Sequence, residues 1–180
     1  MTFTIGDDLP ALLVPLAWMV GRWEGAGIVG QPGAQSRRFG QEAEFSVGDG
    51  AFLRYRAISW ELDDAGDLTR FLAEETGYWR ILPEPSGEVE VLLAHPTGYL
   101  ELWTGQVGSA RLELRTDVVV RSPRAAEYNA GHRLYGLVDG DLLWAFDMAA
   151  GGPGLAAHSS ARLRRVDGVG PLRPPPTLVT

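Results

Sequence analysis

The chain has 180 residues, 45% of them apolar by type, which is enough for one domain with a sizeable core. A formal net charge of −7, with arginines scattered among carboxylates and no lysine, excludes the basic stripe that phosphate binding needs and so argues against a nucleic-acid partner. The absence of cysteine excludes disulfides, thiolate metal sites and cysteine nucleophiles.

Leu9 to Val20 is apolar but comes after Asp7 and Asp8 and contains Pro10 and Pro15. It lacks the basic start of a signal peptide and the length of a membrane span, so a cytoplasmic protein is expected. Asp8 is placed to N-cap a short helix with Pro10 in its first turn, and Pro15 to end it or start another. This segment is expected to close one end of the domain.

The chain from Trp23 onward alternates as strands between turn residues, ten in number: Trp23 to Val29, Arg37 to Val47, Phe52 to Leu62, Arg70 to Leu82, Glu88 to Ala94, Gly98 to Gln106, Arg111 to Val119, His132 to Val138, Asp141 to Met148 and Ala157 to Val166. Asp139-Gly140 has the composition of a two-residue type I′ hairpin loop. Gly48-Asp49-Gly50 and His95-Pro96-Thr97-Gly98 are tight connections, and Asp63 to Asp67 is a longer one. No helical pattern separates the strands, which excludes parallel βαβ units. The expectation is an all-β, antiparallel, up-and-down barrel over residues 1–167. The Pro-rich segment 168–180 is expected to be an extended tail, with a polyproline ligand as a minor alternative.

Alternation also assigns faces. Leu142, Trp144, Phe146 and Met148 share a bulky apolar face, while unbroken alternation puts His158, Ser160, Arg162 and Arg164 together on one side of the last strand. A barrel of this size encloses a ligand cavity, so an inward polar residue is a candidate contact. His95 and His132 read as surface residues, and the neighbouring carboxylates Glu74-Glu75 and Asp63-Asp64 as solvated.

Gly25-Ala26-Gly27-Ile28-Val29-Gly30 matches GxGxxG but is succeeded by Gln31-Pro32-Gly33 rather than a helix, so it is not read as a dinucleotide site. Gly21, Gly25 and Gly27 instead allow the first strand to bend and pack closely, with Trp23 across the closed end. Ser159 and Ser160 cannot face the adjacent His158, and no Asp is placed to orient its ring, so nucleophilic chemistry is not supported. A lone imidazole without cysteine or clustered partners cannot hold zinc. It could serve haem iron, which needs a single axial protein ligand.

Gly21-x-Trp23-x-Gly25-x-Gly27, Glu75-Thr76-Gly77-Tyr78, Ala94-His95-Pro96-Thr97-Gly98, and Met148-Ala149-Ala150 with Pro153 and His158 resemble the nitrobindin family over nearly the whole chain. The resemblance implies a ten-stranded barrel like that of the fatty-acid-binding proteins, of the calycin (lipocalin) type, holding one haem b, with His158 in the place of the axial iron ligand. It implies that ferric haem converts peroxynitrite to nitrate and that ferrous haem binds nitric oxide, in detoxification or sensing of reactive nitrogen species. Where relatives carry a threonine near the haem this chain has Gln35, and where they carry a lysine before a glutamate it has Ala126. The small ligands expected are therefore peroxynitrite and nitric oxide, with a homodimer as one option. The alternative from another class is a carrier of a fatty acid or similar amphiphile without haem, its carboxylate paired by Arg162 or Arg164.

Overall fold

The computed structural model describes residues 9–30, 35–83, 87–150 and 154–166. Ten strands come after a 3-10 helix over Ala11–Met19: β1 (Gly21–Val29), β2 (Arg37–Val47), β3 (Leu53–Leu62), β4 (Leu68–Ile81), β5 (Glu88–His95), β6 (Tyr99–Gly108), β7 (Arg111–Arg121), β8 (Ala130–Val138), β9 (Asp141–Ala149) and β10 (Ala156–Val166). Each strand pairs antiparallel with its sequence neighbours, and β1 also pairs with β10, so the sheet closes into a barrel. Closure removes every free edge. Asp139 and Gly140 both take positive φ, 54° and 87°, as a type I′ turn requires. Gly98 N–H donates to His95 O at 3.0 Å, and the Asp63 side chain accepts from Asp67 N–H at 2.9 Å, closing the connections at the other end. No helix among the described residues is long and apolar enough to cross a membrane.

The 3-10 helix plugs the end where β1 begins and β10 ends. It runs through Pro15 rather than stopping there, and Pro10 caps it without a side-chain hydrogen bond; Asp8 lies outside the described residues. A proline lacks the N–H of a regular helical bond, so this helix is held by what it buries. Leu13, Leu16, Trp18 and Met19 are inside. Trp23 is fully buried beneath it, donates Nε1–H to Met19 O at 2.8 Å, and stacks against the Arg165 guanidinium 4.1 Å from the ring centroid. Arg165 in turn donates to Trp18 O at 2.9 Å and to Val20 O, tying the last strand to the plug.

The glycines of β1 are required by close approach. A Cβ on Gly25 would strike Arg162 O and lie 2.9 Å from Leu163 Cα; one on Gly27 would strike Ser160 O and lie 2.6 Å from Phe39. The apolar core continues from the plug through Phe45, Tyr55, Trp79 and Tyr135, whose rings meet edge-on or tilted at 4.6–5.6 Å between centroids. This aromatic packing fills the closed half of the barrel.

The last strand departs from simple alternation. Ala157 pairs with Asp147 and Ser159 with Phe146, leaving His158 as the extra residue of a β-bulge. The parity flips there, so Ala161 and Leu163 face the core while Arg162 and Arg164 are exposed outside, and Arg162 pairs with Asp141 at 2.6 Å. The expected grouping of His158 with Arg162 and Arg164 is therefore overturned. The reading of Arg162 or Arg164 as a carboxylate anchor inside the cavity falls with it. The tail 168–180 and the 151–153 loop lie outside the described residues.

Trp23→Ala is expected to cost about 3–5 kcal/mol, because it removes a fully buried ring and orphans the Met19 carbonyl. Gly25→Ala should also destabilise, since its neighbours are backbone that must shift. Chemical denaturation of the protein without added ligand measures both; an unchanged midpoint in either variant contradicts the packing described.

Candidate functional site

Between the aromatic core and the open end lies a cavity of about 370 Å³, in the size class of cofactor sites. Phe39 on β2, Ala57 on β3, Leu72 and Ala73 on β4, and Trp144, Phe146 and Met148 on β9 give it apolar walls. A register shift in β4 opposite Ser59 and Trp60 lets both Leu72 and Ala73 line it. Trp144 Nε1–H donates to Gln41 Oε1 at 2.8 Å and Gln41 Nε2 to Ser59 Oγ at 3.1 Å, which fixes the indole against the wall. A broader depression of about 730 Å³ lies outside β1 and β8–β10, lined by residues such as Ile28, Leu134 and Leu143. Its arginines, Arg111 and Arg162, already pair with Glu113 and Asp141, and its described lining residues include no histidine, methionine or carboxylate.

His158 enters the cavity from the β10 bulge. Its ring is half-buried, meets the Phe146 ring edge-on at 5.5 Å, and keeps a buried Nδ1 without a hydrogen-bond partner among the described residues. Burial lowers its pKa from the usual 6.5, the Gly30 backbone opposes this in part, and the charge of Arg133 lowers it further. The imidazole is thus held neutral, with a lone pair available.

The cavity floor is ionic. Arg133 on β8 has a side chain only 7% exposed and donates from Nη1 and Nη2 to the Glu75 carboxylate at 2.9 and 2.7 Å. Tyr55 O–H donates to Glu75 as well, at 2.6 Å. Burial alone would raise the Glu75 pKa, but the Arg133 charge and these hydrogen bonds hold it down to about 2. Glu101 accepts from Trp103 Nε1–H at 2.8 Å and bonds His95 Nε2 at 3.0 Å, and its pKa is also lowered despite burial. An ionised Glu101 can only accept, so His95 Nε2–H is the donor of this bond. The guanidinium also lies 4.9 Å from the ring centroids of both Trp103 and Phe146. The Tyr128 hydroxyl lines the same cavity, buried and without a hydrogen-bond partner among the described residues; burial raises its pKa and nearby Glu101 adds to this, so it stays a donor.

These positions correct the sequence reading in several places. His95 is not a surface residue: its side chain is 14% exposed and it sits between Glu101 and Glu75. His132 lies at the outer side, between Glu113 at 3.0 Å and Asp147 at 3.5 Å. Glu74 is a partly exposed partner of Arg56, as expected of a solvated carboxylate, but Glu75 is buried. Sequence reasoning misses Arg133 altogether. Both members of the buried pair share strand parity with large apolar residues, Glu75 with Trp79 and Ile81 and Arg133 with Tyr135, and that is the available signal. Gln35 is exposed and not among the cavity-lining residues, whereas Ala126 lines the mouth. Gly21 and Trp23 belong to the closed end, whereas Gly25 and Gly27 pair with the cavity-lining Gln41 and Phe39 of β2 without lining the cavity themselves.

The floor predicts its own fragility. Arg133→Ala leaves two buried carboxylates facing each other and should cost about 3–5 kcal/mol at neutral pH. In the wild type the depressed Glu75 pKa contributes stability that is full above the ordinary 4.5 and is lost as pH falls toward 2. Arg133→Ala should flatten that acid limb, and a double-mutant cycle with Glu75→Gln should return a favourable coupling. Urea midpoints between neutral and acid pH read both effects; additive losses would refute the pair.

The family model for the THAP4-like, heme-binding beta-barrel domain matches residues 12–165. A "Ferric nitrobindin-like protein" of Kineococcus radiotolerans is 46% identical, covering 92% of this chain and 99% of that protein. A "Peroxynitrite isomerase" of Nocardioides sp. is also 46% identical, with the same coverages of 92% and 99%. The crystal structure of Rv2717c from M. tuberculosis superposes with a TM-score of 0.77 at 30% identity, covering 89% of this chain and 100% of that one. An antiparallel barrel hollow at one end, with the His158 imidazole turned into a cavity with apolar walls, fits a haem domain, and this chain belongs to the THAP4-like, haem-binding β-barrel family.

Proposed function

We propose that His158 is the axial ligand of haem b in the barrel cavity, and that the loaded protein isomerises peroxynitrite to nitrate and binds nitric oxide in the cytoplasm, as a detoxifying or sensing protein. The observation that carries this reading is the β10 bulge, which brings one half-buried imidazole, with its pKa lowered, among apolar walls. The names of the relatives, ferric nitrobindin-like protein and peroxynitrite isomerase, point the same way.

When bound, haem supplies the redox-active iron at which peroxynitrite rearranges or nitric oxide is held. The chain's own residues do the rest. His158 offers a nitrogen lone pair without first shedding a proton at neutral pH, because burial has already disfavoured the cation. The Phe146 ring, edge-on to the imidazole, limits its rotation. Phe39, Leu72, Trp144 and Met148 exclude water from a planar apolar macrocycle. Isomerisation gains and loses no atoms or electrons overall, so it asks for no dedicated acid–base pair beside His158.

The ionic floor also weighs against the fatty-acid carrier. Arg133 is already held in a bidentate pair with Glu75 and lies 3.9 Å from Glu101, so a carboxylate head group seated on that floor would have to displace a buried partner to reach it.

His158→Ala should abolish the histidine-ligated Soret spectrum of the reconstituted protein, while His132→Ala, altered at the outer side, should keep it. Haem affinity of the wild type should hold at neutral pH and fall on acidification only below about 6.5, as protons compete for a ring whose own pKa lies lower still. Retention of the spectrum in His158→Ala, or an affinity independent of pH down to about 5, would contradict histidine ligation.

A further inference from the structure

Haem b carries two propionate carboxylates, which must reach water or a cation when the macrocycle is buried. Among the described residues lining the cavity the arginines are Arg133, committed to the floor, and Arg37 at the first position of β2. Arg37 is 54% exposed and sits at the mouth. Its place in the register is specific: Val29 of β1 pairs with Arg37 on one side and with Ser159, next to His158, on the other. Arg37 and the bulge therefore stand at one level of the barrel, two strand spacings apart, roughly 10 Å.

Arg37 pairs with Glu61, but Glu61 does not depend on it. Arg70 holds the same carboxylate through Nε at 2.5 Å and Nη2 at 2.8 Å, and this pairing is the leading cause of its lowered pKa. Arg37 can turn to another anion and leave Glu61 satisfied. Across the mouth stands Glu127, bonded to Asn129 at 3.1 Å, and Glu74, paired with Arg56, also lines the cavity. Carboxylate arms are repelled from those positions and attracted to β2. Ala126 offers no charge at all.

We infer that Arg37 is the propionate-binding residue of this chain, fixing the in-plane orientation of the macrocycle at the mouth on the β2 side. The inference rests on the haem reading and adds a residue to it.

The test compares haem b with its dimethyl ester, whose propionates are uncharged, by Soret titration of the wild type, Arg37→Ala and Glu61→Gln. Arg37→Ala should weaken haem b roughly two- to fivefold at low salt, the scale of an exposed ion pair, and leave the ester unchanged. Glu61→Gln should hold or tighten haem b, because it frees Arg37, and the difference between wild type and Arg37→Ala should shrink at high salt. Equal loss for haem b and the ester, or no loss for haem b in Arg37→Ala, overturns the assignment while the haem reading stands. Failure of the wild type to give a histidine-ligated spectrum with either compound overturns both.

Discussion

Ring closure sets the terms for everything else in this molecule. Ten strands closed on themselves send every second side chain into one shared interior, which must be either filled or put to use. The sequence fills only half. Trp23, Phe45, Tyr55, Trp79 and Tyr135 pack the end plugged by the 3-10 helix, and above them the bidentate Arg133–Glu75 pair seals the core with a polar layer. A buried ion pair of this kind is a poor source of stability compared with an apolar replacement, since two charges are desolvated. Its value here is positional: it stops the core from extending upward and leaves an apolar chamber with a charged floor.

That floor reaches the histidine electrostatically. The Arg133 guanidinium lies 4.9 Å from the Phe146 centroid, and the same ring meets His158 edge-on at 5.5 Å. The cation thus adds to burial in holding the imidazole neutral. Through that charge a residue of the cavity floor adds to the effect of burial on the His158 imidazole.

Much of the architecture is legible in the chain itself. Strand ends fall within two residues of those expected, and the type I′ turn at Asp139-Gly140 has the φ values its composition calls for. The errors share a physical origin. Face assignment along β10 assumes an unbroken pleat, and a single extra residue at His158 reverses every side chain after it. The Arg133–Glu75 pair joins residues 58 apart in sequence, so no local pattern announces it. His95 has the sequence context of a turn residue because Pro96 comes next, yet it is the last residue of β5 and points to Glu101. Motif resemblance locates His158; the bulge explains how it comes to face the cavity when Arg162 and Arg164 do not.

We propose above all that the bulge turns His158 into the cavity as the ligand of haem iron. A crystal structure of the ferric haem complex tests it most directly. It should show the iron bonded to a ring nitrogen of His158, the macrocycle between the walls of Phe39 and Met148, and the β10 bulge retained. Iron bonded to His95, or a macrocycle lying outside the barrel with His158 unligated, would contradict the account.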